Sequence, residues 1–147
     1  APDGGTLAVV ATDAFPRRLL LVPVDGGFAK ARTVSDAGCS SGTGNADEPR
    51  WSPVGLFIVQ HCGDGQVTSS DIGHVDPTTA HATLVQRLTP VASTLLMTVV
   101  QTKSGTPMFV TADETYPDSV QVLVRDPNPD NVRVLAGLTG LAVGGAE

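Results

Sequence analysis

The side chains best suited to chemistry lie in the middle of the chain, and most are histidines or their neighbours: His61, Cys62, Asp71, His74 and His81. A histidine next to a carboxylate and a hydroxyl can act as a general base, and converging His and Cys side chains can hold zinc. On a β-strand, however, neighbouring side chains point to opposite faces, so His61 and Cys62 would not share a site. His74 alternates with Ile72 and Asp76, and His81 is predicted to lie in the turn after Asp76. The three histidines would meet only through the tertiary fold.

Other signatures of catalysis or metal binding in the sequence are incomplete. An acyl-transfer triad could be drawn from His61, Asp71 and a loop serine, but the G-x-S-x-G run from Gly38 to Gly42 lies in a Gly- and Ser-rich stretch without the strand-to-helix setting that presents a nucleophile. The acidic pairs Asp47-Glu48 and Asp113-Glu114 are adjacent, so on strands they face apart, unlike the paired carboxylates of a glycosidase. No CxxC pair and no complete calcium-loop motif occurs. We therefore predict no catalytic residue, no metal site and no cofactor, and we identify no binding residues at this stage.

The two cysteines, Cys39 and Cys62, are 23 positions apart. A disulfide that closes this loop would stabilise the fold by about 3 kcal/mol on a chain-entropy estimate. Such a bond would indicate an oxidising compartment, outside the cytoplasm or secreted, or the surface of a virion. The alternative is two unrelated buried thiols, because free Cys is among the most buried residue types. We predict the disulfide and keep the alternative open.

Length, composition and charge describe one globular domain, residues 1–147, with an acidic surface. The hydrophobic share is 41%, and 16 Gly and 11 Pro indicate many turns. The formal net charge is −6 and the basic residues are scattered, whereas a nucleic-acid binder needs clustered Lys and Arg. No apolar run approaches the roughly 18–20 residues that span a bilayer. We therefore expect no nucleic-acid partner and no transmembrane segment.

Short apolar runs bounded by Gly, Pro, Asp and Asn predict β-strands and no helix between them. The predicted strands are residues 6–13, 17–25, 56–62, 70–76, 94–102, 107–113, 119–126 and 132–138. The fold class is therefore predicted to be all-β.

These runs recur with a period near fifty residues. Within each unit, a first strand ends in Asp (Asp13, Asp64, Asp113) and a second ends in Asp (Asp25, Asp76, Asp126). A third apolar element follows at 31–34, 82–85 and 131–134. A fixed period of this size is typical of propellers and related arrays, so we predict about three four-stranded units. If the units are true repeats, Val24, Val75 and Arg125 should share one face, and the third unit should be the divergent one, pairing at an edge or with another chain.

The run PRWSPVGLFIV, from Pro49 to Val59, resembles the P-x-W-S-P-D-G motif of WD40-like blades in TolB-type β-propellers. The segment SSDIGHVDPTTAHATLVQRLT resembles the later strands of such a blade, and residues 5–36 look like a blade that lacks its first strand. The resemblance covers roughly residues 5–89. It implies a propeller-like fold in which Trp51 anchors one blade against the next and the Pro-x-Gly corner reverses the chain. Val54 stands where the family has Asp, and the third unit has no Trp-Ser-Pro.

Three units are fewer than the four to eight that typically close a propeller. The units could assemble with other copies, or the fold could instead be a β-trefoil, a β-sandwich or a jelly roll.

The function predicted first is a non-catalytic, surface-exposed or extracellular interaction domain that binds a protein or carbohydrate ligand. A homo-oligomer or a larger assembly is expected. The alternatives are a virus or phage capsid surface domain and a secreted hydrolase. The Gly- and Ser-rich loop 36–48 is the segment expected to make contacts.

Overall fold

The computed structural model describes residues 1, 3–13, 17–35, 39, 44–63, 69–88, 93–115, 119–128 and 132–139. Within these residues, one short 3-10 helix, Gly27–Lys30, lies among eleven strands: β1 Thr6–Ala11, β2 Arg18–Pro23, β3 Arg32–Thr33, β4 Gly44–Ser52, β5 Gly55–Cys62, β6 Ser69–Asp76, β7 His81–Leu88, β8 Ser93–Gln101, β9 Pro107–Thr115, β10 Ser119–Arg125 and β11 Val132–Thr139. The all-β prediction is confirmed.

The strands form three antiparallel sheets in which consecutive strands are neighbours. Sheet 1 contains β1, β2 and β3; sheet 2 contains β4 to β7; sheet 3 contains β8 to β11. Each sheet is therefore a simple meander, which needs only short connections between strands. Because every described strand pairs within its own sheet, the arrangement differs from the two sheets of a sandwich and from a trefoil barrel.

Sheet 2 lies between the other two sheets, and the residues of β5 show why. The run Leu56 to Val59 is apolar at every position, and all four side chains are buried. Leu56 and Ile58 belong to an apolar cluster shared with sheet 1, whereas Phe57 and Val59 belong to a cluster shared with sheet 3. A strand covered on both faces requires a continuous apolar run rather than an alternating one.

Two apolar clusters hold the sheets together. We call them cluster 1, between sheets 1 and 2, and cluster 2, between sheets 2 and 3. The buried members of cluster 1 are Leu19, Leu21, Val34, Leu56, Ile58, Val75, Ala80 and Ala82. The buried members of cluster 2 are Phe57, Val59, Ile72, Leu88, Leu96, Val99 and Phe109. In cluster 2, the rings of Phe57 and Phe109 meet edge to face with their centroids 5.2 Å apart.

The fifty-residue period corresponds to a repeated strand order. Segments 6–34, 57–85 and 106–134 each contain three strands in meander order, and these are the last three strands of each sheet. Sheets 2 and 3 each have a further strand in front of them, β4 and β8. Among the described residues, sheet 1 has no strand at that position. This agrees with the expectation of about three units, the first of them short by one strand.

Val75 and Arg125, which were predicted to lie on the same face of their units, do so in sheets 2 and 3. Val75 pairs with Leu56 of cluster 1 and so faces sheet 1. Arg125 pairs with Phe109 of cluster 2 and so faces sheet 2. The following turns match as well, because the Asp76 carboxylate accepts a hydrogen bond from the Thr78 N–H at 2.8 Å, and Asp126 accepts one from the Asn128 N–H at 2.6 Å. Val24 lies beyond the end of β2, in a turn, and is exposed.

The structure corrects the sequence-based boundaries in two places. The loop expected over 36–48 ends earlier, because residues 44–48 belong to β4; residues 36–38 and 40–43 lie outside the described residues. Asp113 does not end a strand but lies inside β9, buried on the face towards sheet 2. Asp64, the matching position in the second unit, lies outside the described residues.

The Pro-x-Gly corner reverses the chain between β4 and β5 as expected. Ser52 pairs with Gly55, and the Ser52 hydroxyl accepts the Val54 N–H and donates to the Gly55 carbonyl. Gly55 has φ of +130°, and a Cβ there would lie 2.5 Å from Nε2 of His74. Only glycine satisfies both the backbone and the space at this corner.

Candidate binding cleft and the polar groups around sheet 2

The turn between β6 and β7 is held in one conformation by hydrogen bonds from its own side chains. The Asp76 carboxylate accepts the Thr78 N–H, and its other oxygen accepts the Thr79 hydroxyl at 2.9 Å. These hydrogen bonds lower the pKa of Asp76 below its ordinary value, the one from the Thr78 N–H contributing most. The turn closes at Ala80, whose φ of +56° is left-handed and whose N–H donates to the Asp76 carbonyl at 2.9 Å.

Residues of sheet 1, on β3 and just after it, bind this turn by hydrogen bonds. The Arg32 guanidinium donates to the carbonyls of Pro77 and Thr78 at 2.5 Å each. The Ser35 N–H donates to the Ala80 carbonyl at 2.9 Å, and the Ser35 hydroxyl lies 2.7 Å from Nδ1 of His81. His81 therefore begins β7 and binds sheet 1, rather than lying free in a turn. These contacts fix the turn relative to the start of the chain.

A cleft of about 420 Å³ lies between this turn, the start of β1 and the end of β4. It is lined by Ala1, Asp3, Thr6, Trp51, Pro77 and Thr78. The lining combines one indole, one carboxylate, two threonines and a proline. A cleft of this size, with an apolar surface and a few polar groups, falls within the range of small-molecule sites.

Trp51 lines this cleft and also packs between sheets. It lies on β4, pairs with Leu56 and packs against cluster 1, which agrees with an anchoring role between sheets 1 and 2. Its side chain is mostly buried, as an anchor should be, and a smaller part of it is exposed. Its buried indole N–H has no hydrogen-bond partner among the described residues. Trp51 therefore has both a packing surface and a surface that faces the cleft.

His61 and Asp71, the two residues considered for an acyl-transfer triad, lie on opposite faces of sheet 2. Asp71 pairs with Gln60, whereas His61 pairs with Ser70, and adjacent pairs alternate between the faces. The Asp71 carboxylate instead binds Arg87, with Nη2 at 3.2 Å. Nδ1 of His61 lies 2.9 Å from the Ser70 hydroxyl. The proposed combination of these residues is not formed.

The stability of the protein should depend on pH through His61. Burial lowers the pKa of His61 below its usual range, and the Asp47 carboxylate offsets part of this. The unfolded chain therefore takes up the proton first, so the stability linked to His61 is present above the ordinary pKa near 6.5 and is lost as the pH falls through the lower folded pKa. We expect the melting temperature of His61→Asn to fall less than that of the native protein between neutral pH and about pH 5.

Ser70→Ala is the matched control for this measurement. It removes the hydrogen-bond partner of His61 but leaves the imidazole buried, so it should lower stability at every pH and keep the native pH slope. A native slope in His61→Asn would contradict the assignment of the pH dependence to this residue.

A second polar contact joins the first strands of sheets 2 and 3. The register of β4 shifts between Asp47 and Arg50, and Glu48 there has φ of +54°. A Glu48 carboxylate oxygen accepts the Leu96 N–H at 2.6 Å, and Nε of Arg50 donates to the Met97 carbonyl at 3.1 Å. The register of β8 shifts at this same point, between Leu96 and Thr98. Burial raises the pKa of Glu48, although the hydrogen bond from Leu96 lowers it.

Several polar side chains are buried on the facing surfaces of sheets 2 and 3. In sheet 3, the Arg125 guanidinium donates to the Asp113 carboxylate and, at 3.2 Å, to the Thr111 hydroxyl. Arg125 is 9% exposed and Asp113 is 6% exposed, so this is a buried ion pair. Polar atoms of Gln86, Thr94 and Asp113 are also buried there, with no hydrogen-bond partner in the part of the chain that the structure describes. The third unit thus differs from the second by a charge pair that is buried in its core. Its predicted pairing at an edge or with another chain stays a prediction.

Cys39 and Cys62 form the predicted disulfide, with their Cα atoms 5.6 Å apart. Cys62 is buried at the end of β5, and Cys39 follows the first unit. The bond therefore ties the segment that connects sheets 1 and 2 to the far end of β5.

Among the described residues, no group of three His, Cys, Asp or Glu side chains lies close enough to hold a metal ion. Within the same part of the chain, no helix is long and apolar enough to cross a membrane.

The comparisons with known proteins gave no match, whether to a protein-family model, to a curated protein or to a solved structure. The class of protein is therefore defined by the fold alone: an all-β chain of three stacked antiparallel meanders.

Sequence reasoning missed the cleft because its lining comes from three separate segments. Asp3 precedes β1 and Thr6 begins it, Trp51 lies one residue before the end of β4, and Pro77 and Thr78 lie in a turn. One signal was present: Pro77 and Thr78 follow Asp76 in a D-P-x-T turn, and such rigid turns place side chains at fixed positions. Nothing in the sequence placed this turn beside Trp51.

Proposed function

We propose that this chain is a non-catalytic interaction module with a propeller-like scaffold, working outside the cytoplasm. The observation that carries the proposal is the cleft beside Trp51, framed by rigid turns on stacked sheets. A rigid β-scaffold that presents its loops and turns at one site is a common arrangement for recognition. The Cys39–Cys62 disulfide supports the oxidising location, because such bonds persist mainly in secreted and surface proteins.

The chemistry of the cleft favours a carbohydrate ligand. The indole of Trp51 offers a flat apolar surface on which the C–H face of a sugar ring can lie. Asp3, Thr6 and Thr78 line the same cleft with oxygen atoms that can pair with ring hydroxyls. The cleft is also open and small, which suits the end of a glycan or one exposed sugar of a chain better than a long peptide.

The test uses the single tryptophan of the chain as its reporter. A glycan array identifies bound sugars, and titration of each hit should change the fluorescence of Trp51. Because Trp51→Ala lacks this reporter, its binding is measured by titration calorimetry, and we expect a loss of at least about tenfold since the indole is the main contact surface. The matched control is Phe28→Ala, which removes an aromatic side chain that is 70% exposed and does not line the cleft. It should bind as the native protein does.

Two results would count against this proposal. Glycan binding that survives in Trp51→Ala would place the ligand elsewhere on the molecule. Turnover in an unbiased screen for esterase, peptidase and glycosidase activity would favour the secreted hydrolase instead.

A further inference from the structure

Among the described residues, the sheet stack ends in two largely apolar faces that no other sheet covers. The first is the face of sheet 1 that points away from sheet 2, and the second is the face of sheet 3 that points away from sheet 2. We call them the leading face and the trailing face. The apolar residues of the leading face are Leu7, Val9, Ala11, Leu20 and Val22, and Arg18 and Thr33 lie on the same face. Those of the trailing face are Leu95, Val100, Met108, Val110, Ala112, Val120, Val122 and Val124, and Thr98 and Arg133 lie on the same face.

These assignments follow from the strand register. In sheet 1, Leu19 and Leu21 belong to cluster 1, so the alternate residues of β2 and their partners on β1 point the other way. Leu7 is 54% exposed, and Val22 beside it is buried. In sheet 3, Leu96, Val99 and Phe109 belong to cluster 2, so Leu95, Val100 and Val110 point outwards; Leu95 is 43% exposed and Val100 47% exposed. Exposed apolar surfaces of this kind mark interaction sites.

The trailing face of sheet 3 has the apolar composition of a covered face. In sheet 2, His74 pairs with Phe57 and Ile72 pairs with Val59, on the face that packs against sheet 3. In sheet 3 the corresponding pairs are Val124 with Val110 and Val122 with Ala112. All four positions of sheet 3 are therefore apolar, as they would be if another sheet packed on them.

The same repeat indicates what should cover it. Within the chain, the trailing face of one sheet always packs on the leading face of the next, first in cluster 1 and then in cluster 2. The trailing face of sheet 3 therefore matches a leading face, and the uncovered leading face belongs to sheet 1 of the same chain. One molecule holds both halves of a single head-to-tail contact, at opposite ends of its stack. Such contacts form closed rings when the rotation between copies closes, and open filaments when it does not.

We infer that a second copy of this chain covers both faces, so that two chains form one closed ring of six sheets. Closed propellers typically contain about four to eight sheets, and six is the only multiple of three in this range. The inference rests on the propeller-like scaffold proposed above and does not depend on the carbohydrate ligand.

The test is the mass of the protein in solution, measured by light scattering at high micromolar concentration. We expect twice the chain mass of 15.1 kDa. Leu7→Glu and Leu95→Glu each place a charge on one open face, and each should give a monomer. Leu84→Glu is the control, because Leu84 is 42% exposed on β7, outside both faces, and this variant should remain a dimer.

Mixing the two monomeric variants distinguishes this ring from other dimers. A mixed pair of Leu7→Glu and Leu95→Glu has one contact with both charges and one native contact, whereas each pure variant has two damaged contacts. The mixture should therefore regain dimer, with native circular dichroism confirming that both variants fold.

A native protein that is strictly monomeric would overturn the inference and would favour further sheets from the same polypeptide as the cover. Open filaments would also overturn it, and so would a dimer that Leu7→Glu leaves intact. Each of these results can occur with glycan binding retained, so failure of the ring and failure of the proposed function are distinguishable.

Discussion

Asp113→Asn is expected to lower the free energy of unfolding by about 3–5 kcal/mol, the largest effect of any single substitution considered. The Asp113 and Arg125 side chains are 8% and 10% exposed and bind each other directly. Removal of the carboxylate leaves the guanidinium as a buried, unpaired cation, because Thr111 supplies only a neutral oxygen. Urea denaturation, followed by circular dichroism, measures the change through the shift of the midpoint at constant slope.

Two comparisons make this measurement specific to the buried charge. The double variant Asp113→Leu with Arg125→Met replaces the pair by apolar side chains and should recover most of the loss, or exceed native stability. Asp13→Asn breaks the pair of Asp13 and Arg18, whose side chains are 75% and 50% exposed, and should change stability by less than about 1 kcal/mol. If Asp113→Asn behaved like Asp13→Asn, the buried pair would not hold the core of sheet 3.

Removal of the disulfide by Cys39→Ala with Cys62→Ala is expected to cost about 3 kcal/mol. The bond closes a loop of 23 residues in the unfolded chain, and this loop regains its conformational freedom when the bond is absent. Thermal unfolding of the native and double-alanine proteins measures the loss. Alanine at position 62 is preferred to serine because Cys62 is 1% exposed, and a serine hydroxyl would be buried there.

A count of thiols tests the bond itself before any variant is made. The denatured, unreduced protein should contain no free thiol, and Cys39→Ala alone should release one thiol, from Cys62. Two free thiols in the native protein would contradict the bond and would remove the main support for an oxidising location. The cost of the double variant would then reflect only the loss of the packed Cys62 side chain.

The third unit differs from the second at particular positions of both faces. Arg125 takes the place of Val75, so a guanidinium is buried where the second unit has an apolar side chain. The second sheet also has an ion pair on this face, between Asp71 and Arg87, but the Arg87 side chain is 37% exposed. On the opposite face, Val124 and Val110 of the third unit correspond to His74 and Phe57 of the second. The open face of sheet 3 thus keeps the apolar character of a face that is buried in sheet 2.

The strands that the sequence determined are those with a strong local signal. Runs such as LLLV in β2, LFIV in β5 and VQVLV in β10 are rich in branched side chains and are bounded by turn residues, so their existence follows from local preference. The fifty-residue spacing of turns then set the number of units, since the turns at Asp25, Asp76 and Asp126 each follow a strand of the same rank. With two cysteines, the chain allowed one pairing, Cys39 with Cys62, and the structure decided that this bond forms.

Only the tertiary structure decided the rest. Residues 44–52 carry Asp47, Glu48 and Pro49 and have a weak strand signal, yet they form β4, because β5 pairs with them and Glu48 and Arg50 bind the backbone of β8. Asp113 and Arg125 look like surface charges in the sequence, and their pairing depends on the register between β9 and β10. The cleft beside Trp51 depends on Arg32, which binds the distant turn at Pro77 and Thr78. Local preference acts over a few neighbouring residues, whereas these features join segments of the chain that only the packing of sheets brings together.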